Sequence, residues 1–220
     1  MHEERVTIDA SAGPLVAHLA TPEGWTAGPA VIVIQEWWGL NPNIESICRR
    51  FADEGFAAIA PDLYRGAVTT EPDEAKKLMM RLDRPRAVED LRAGLSMLMD
   101  RGATEVGAMG FCMGGYLTHE LALTDDRLGA AVACYGLTDP KGRELLAPMQ
   151  VHIGTEDDFD PTDMQTLAAT LASRGDGSEL FSYDGAPHAF MNDTRPEVYR
   201  PEAAALAWER ATAFLHAKLG

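Results

Sequence analysis

From residue 30 onward the chain alternates short apolar runs with longer amphipathic stretches. Residues 30–34 are continuously apolar and end in polar Gln35-Glu36, the pattern of a strand buried on both faces of a parallel sheet. Residues 42–54 then place Ile44, Ile47, Cys48 and Phe51 at helical spacing, and Gly55 closes that helix. Residues 56–60 form the next strand, which Pro61 is expected to stop. Two helices follow at 71–82 and 84–99, the second with Pro85 near its start. Strands at 105–109, 130–135, 149–153 and 180–183 alternate with helices at 116–122 and 163–173, and residues 201–219 form a long last helix. Ahead of this array, residues 6–10 and 15–19 pair antiparallel across Ser11-Ala12-Gly13-Pro14. The alternation predicts an α/β fold: a doubly wound, mostly parallel sheet with helices on both faces, in one domain spanning 1–220. Repeats, low-complexity tracts and linkers are absent from the sequence.

Composition narrows the function classes. A formal net charge of −15 argues against nucleic acid and anionic membrane surfaces, which both call for a basic face. No apolar run approaches a membrane span, and residues 1–5 lack the apolar stretch of a signal peptide. Three cysteines, Cys48, Cys112 and Cys134, make no disulfide framework and suit a reducing compartment, so a cytoplasmic protein is expected. Cys48 and Cys134 fall within buried patterns.

Cys112 does not. Gly110-Phe111-Cys112-Met113-Gly114 has the spacing of a nucleophile elbow, with sulfur where serine is usual. A strand leads in and a helix leads out, so the thiol would stand exposed at a strand end and a helix N-terminus, where the dipole favours thiolate. The other reading is a buried cysteine in a glycine-rich turn. In a sheet of this kind ligands bind outside the carboxyl ends of the strands. That rule selects Glu36, Cys112, the acidic turn 154–161 and His188, each just past a strand. His188 alone among six histidines lies in a loop after the last strand. Nucleophile, acid, histidine is the chain order of the α/β-hydrolases. Residue chemistry leaves Asp157 and Asp158 both open as the acid. The acidic turn lacks calcium-loop spacing, Leu123 stands where a zinc-protease motif beginning at His119-Glu120 needs histidine, and no phosphate loop follows Gly110.

Together the cysteine elbow, Gln35-Glu36-Trp37-Trp38-Gly39, residues 51–66, the acidic turn and Pro187-His188-Ala189-Phe190 resemble the dienelactone hydrolases (carboxymethylenebutenolidases), from about residue 30 to the C-terminus. The resemblance implies an α/β-hydrolase fold, no cofactor, and a triad of Cys112, His188 and Asp157. It also implies a Glu36 that couples thiol activation to substrate binding. Backbone amides of Met113 and Trp37 would form the oxyanion hole. Arg81, Trp38, Phe190 and Arg195 are the candidate substrate contacts. The family's archetype binds a substrate carboxylate with arginines, one of them at the position held here by Asn192. The expected activity is hydrolysis of enol-lactones or small esters. A general carboxylesterase or thioesterase on the same triad, or a non-catalytic binding protein on the same fold, are the rivals.

Overall fold

The apolar run ahead of Gln35 becomes the middle of the sheet. In a computed structural model, which describes residues 1–11, 13–138 and 142–220, eight strands join one sheet. They are β1 (His2–Ala10), β2 (Gly13–Thr21), β3 (Gly28–Ile34), β4 (Ala57–Pro61), β5 (Ala103–Phe111), β6 (Leu128–Cys134), β7 (Met149–Gly154) and β8 (Glu179–Tyr183). Their order is β1-β2-β4-β3-β5-β6-β7-β8, antiparallel between β1, β2 and β4 and parallel from β4 to β8. Ala12, within the turn expected at 11–14, lies outside the described residues. The helices are α1 (Pro42–Asp53), α2 (Pro72–Arg81), α3 (Arg84–Asp100), α4 (Met113–Ala122), α5 (Pro161–Ser173) and α6 (Pro201–Leu219). None of the described helices is long and apolar enough to cross a membrane.

Period-two alternation splits the strand residues between two cores. Ala30, Ile32 and Ile34 pack with α3, α4 and α5, whereas Val31 and Val33 pack with α1 and α6. Both faces are therefore covered, which is why β3 reads as an unbroken apolar run. Helix starts were legible because prolines occupy first-turn positions and side chains cap them: Asn41 accepts from the Ile44 amide and Asp83 from the Arg86 amide. Pro61 corrects one expectation. It is still paired, with Ala17, so the strand ends on the proline rather than before it. The Asp62 amide continues the pairing to the Val16 carbonyl at 2.9 Å. The elbow strand is also longer than its apolar centre, because Thr104 and Glu105 occupy exposed positions at its start. Only Ala75 of α2 is buried, so this helix lies on the surface.

Candidate active site

The elbow is built by close packing of backbone on backbone. A methyl group on Gly110 would strike the Gly114 carbonyl and the Thr118 hydroxyl, and one on Gly114 would strike the Ile34 and Gln35 carbonyls. Glycine at these two positions lets α4 start directly against the end of β3, which brings Glu36 beside the elbow. Cys112 takes the strain, with φ 55° and ψ −116°. Its amide donates to the Cys134 carbonyl at 2.9 Å, and its carbonyl accepts from the Tyr116 amide at 3.2 Å. The thiol is half-buried, unlike Cys48 and Cys134, whose thiols full burial pushes far up.

A second close approach joins the acid to the histidine. Gly154 lies so near the Ala186 carbonyl that a β-carbon there would overlap it. The Thr155 amide donates to the Tyr183 carbonyl and the Glu156 amide to the Ala186 carbonyl, both at 3.0 Å. Asp157 is thereby aimed at His188, with Oδ2 2.8 Å from Nδ1. Asp158 is exposed, and its amide donates to Asp157 Oδ1 at 2.8 Å. Asp160 caps α5 by accepting from the Thr162 and Asp163 amides. The aspartates of the turn thus divide their work, and the carboxylate against the imidazole is Asp157. Burial by itself would lower the His188 pKa, but hydrogen bonding to Asp157 and Cys112, with their charges, raises it to about 10. Cys112, His188 and Asp157 are one cluster. The arrangement can hold a thiolate against an imidazolium.

Glu36 forms the floor beside them and is 1% exposed. Asn192 Nδ2 donates to its Oε2 at 2.7 Å, and the Tyr135 hydroxyl donates to Oε1 at 3.4 Å. Burial raises the Glu36 pKa, opposed by Asn192, His188, Arg195 and Tyr135. Tyr135 is a residue that sequence reasoning passed over. It sits just past β6 with φ 41°, and its ring meets the His188 ring edge-on with centroids 5.2 Å apart. Its position at a strand end was the available signal. Tyr64 was also missed: its hydroxyl lies 3.2 Å from Met113 Sδ, and burial raises its pKa.

The expected substrate contacts divide. Phe190 is 0% exposed; its ring meets Tyr135 edge-on and Tyr183 at a tilt, so it packs in the core behind the His188 loop. Trp38 is also buried, with the Arg195 guanidinium 5.4 Å from its ring centre and the Thr69 amide on its carbonyl. Of the tryptophan pair, Trp37 is the more open. Arg195 is itself paired with Glu197 at 2.8 Å. Arg81 is exposed and lines a cavity with Tyr64, Leu78 and Leu82. Met113 opens α4 directly after Cys112, and Trp37 lies two residues past Gln35, whose carbonyl packs against Gly114 of the same helix.

Comparison with known proteins agrees with this architecture. A relative from Aquifex aeolicus, "Putative carboxymethylenebutenolidase", is 36% identical over 211 residues, covering 90% of each chain. The crystal structure of "Putative Dienelactone Hydrolase" from Klebsiella pneumoniae is similar with a TM-score of 0.86, 29% identity and 98% coverage of both chains. An esterase from Pyrobaculum calidifontis shares the fold, with a TM-score of 0.73 at 18% identity, covering 100% of this chain and 87% of its own. The family model described as "Dienelactone hydrolase family" matches residues 15–219. The chain therefore belongs to the dienelactone hydrolase family and is an ester- or lactone-cleaving hydrolase with the α/β-hydrolase fold.

Proposed function

We infer that this enzyme opens enol-lactones or small esters by covalent catalysis at Cys112. The observation that carries the reading is the strained, half-buried Cys112 at the elbow, facing a histidine held 2.8 Å from a buried carboxylate. His188 takes the Cys112 proton, and Asp157 stabilises the resulting imidazolium. The thiolate attacks the carbonyl carbon, and the oxyanion is received by the Met113 and Trp37 amides. Collapse expels the alkoxide or enolate, which takes the proton from His188, and leaves a thioester on Cys112. In a lactone the leaving oxygen stays attached to the acyl chain. Water then attacks the thioester, His188 accepts its proton, and the thiol is restored as the acid departs. No metal or cofactor enters these steps. A free thiol nucleophile fits a reducing, cytoplasmic setting.

Stopped-flow hydrolysis of 4-nitrophenyl acetate tests the assignment. A burst of one 4-nitrophenolate per active site is expected, with mass spectrometry showing the acyl group on Cys112. Cys112→Ala should abolish both. Turnover retained in that variant removes Cys112 from the reaction. A panel of dienelactone, simple carboxylic esters and acyl thioesters separates lactonase from general esterase or thioesterase action.

A further inference from the structure

We propose that Asn192, acting through the buried Glu36 carboxyl, sets the charge class of the substrate: the enzyme selects esters and lactones with an uncharged acyl group over those bearing a carboxylate. The proposal rests on Cys112 being the nucleophile and adds which acyl groups reach it.

Three observations carry it. First, the orientation of the Asn192 amide is fixed. Its Oδ1 accepts from the Thr194 amide at 3.1 Å and the Thr194 hydroxyl at 2.6 Å, so Nδ2 must face Glu36. Asn192 is 2% exposed, and both its ends are used. Second, the donors on Glu36 are neutral: the amide of Asn192 and the phenol of Tyr135. A buried carboxylate without a cation on it repels a second carboxylate strongly, because little water is present to screen them. Third, the cations facing Glu36 are already engaged. His188 is paired with Asp157, and Arg195 is paired with Glu197 and lies over Trp38. The remaining titratable groups around this floor, Tyr135 from the end of β6, Cys134 within it and Cys112 at the elbow, carry no positive charge. A substrate carboxylate placed there would meet Glu36 while the two cations that act on it, His188 and Arg195, are held by Asp157 and Glu197. A carbonyl, ether or alkyl group would meet a hydrogen-bonding wall. A net charge of −15 adds to the same bias at longer range.

The test compares 4-nitrophenyl hexanoate with mono-4-nitrophenyl adipate, which differ by a terminal carboxylate, after subtraction of buffer hydrolysis. The wild-type kcat/KM should favour the neutral ester by about tenfold or more, a factor of ten being about 1.4 kcal/mol. Asn192→Arg, which sets a cation on Glu36, should narrow that gap about tenfold. Asn192→Asp is nearly isosteric and sets a second carboxyl on Glu36; the pair holds one proton between them until pH rises, so the gap should widen with increasing pH, and this variant carries the test if the arginine variant does not fold by circular dichroism. The same three proteins are alkylated at Cys112 with neutral iodoacetamide and anionic iodoacetate. The iodoacetate to iodoacetamide rate ratio should rise in Asn192→Arg and fall in Asn192→Asp. Alkylation does not depend on ester turnover. Ratios that respond in a protein without esterase activity keep the charge proposal and remove the hydrolytic reading. Wild-type preference for the anionic ester, abolished by Arg195→Ala, would assign the carboxylate to Arg195 and overturn the proposal. Ester and alkylation ratios unchanged within twofold across folded variants would also overturn it.

Discussion

Asp157→Asn removes one charge from the proposed catalytic cluster and almost no volume. Asn Oδ1 can still accept from His188 Nδ1, so the geometry survives and only the charge is lost. Opposite unit charges at the observed 2.8 Å separation interact by about 6 kcal/mol at an effective dielectric of ~20, and by about 1.5 kcal/mol in bulk water. The Asp157 side chain is 8% exposed but that of His188 is 44% exposed, so solvent screens one end of the pair. A charge-assisted hydrogen bond in that setting contributes about 2–3 kcal/mol. Converted at 1.36 kcal/mol per decade, the loss in kcat/KM is roughly 30- to 150-fold. The pH profile gives an independent sign. Hydrogen bonds to Asp157 and Cys112 raise His188 to about 10, against burial, so the imidazolium persists until pH rises through that value. Without the Asp157 charge the histidine loses its proton earlier, and the alkaline limb of kcat/KM moves to lower pH. Hydrolysis of 4-nitrophenyl acetate across about pH 5 to 11, corrected for background, measures both effects. A loss under threefold in a folded variant, or an alkaline limb that stays in place, would refute the role given to Asp157.

Two further variants test the frame around the site. Gly154→Ala puts a methyl group into the Ala186 carbonyl, forcing the acid turn off the His188 loop; a stability loss of about 1–3 kcal/mol in urea unfolding is expected, with reduced kcat. A variant as stable and active as wild type would show that the approach is not needed. Glu36→Gln should raise the urea midpoint at about pH 8 and leave it nearly unchanged at about pH 4. Burial raises the Glu36 pKa above 4.5, so the ionised form destabilises the fold progressively as pH rises above that value; Gln removes the penalty, and below it both proteins are neutral there. A midpoint that rises equally at both pH values contradicts a buried, ionisable Glu36.

Much of the site could be read from the chain because each element ends where a local signal stands. Gly110 and Gly114 mark the elbow, and the strand ends before Glu36, Asp157 and His188 place those side chains on one edge of the sheet. Asp157 could not be separated from Asp158 by residue type alone. The choice is made by the Gly154–Ala186 approach, a contact between distant segments. Phe190 was misplaced because an aromatic residue two positions past a catalytic-type histidine looks like cleft lining, yet the turn at Ala189 (φ 63°) directs it into the core. Asn192 read as the absence of an arginine. Its use became visible only with Glu36 and Thr194 around it, since one hydrogen bond spans 156 residues of sequence.

The order of parts along the chain has a consequence for synthesis. The elbow needs β3, β5 and the start of α4, all of which leave the ribosome well before the last strand. His188 comes from the loop after β8, the edge strand, which among the described residues pairs only with β7. N-terminal segments of a nascent chain can gain structure first. Throughout that interval Cys112 has its turn, but the Asp157–His188 pair proposed to activate it is not yet assembled. On the proposed mechanism the reactive cluster is therefore completed only when the loop after the last strand docks, and a partly made chain carries the elbow without it.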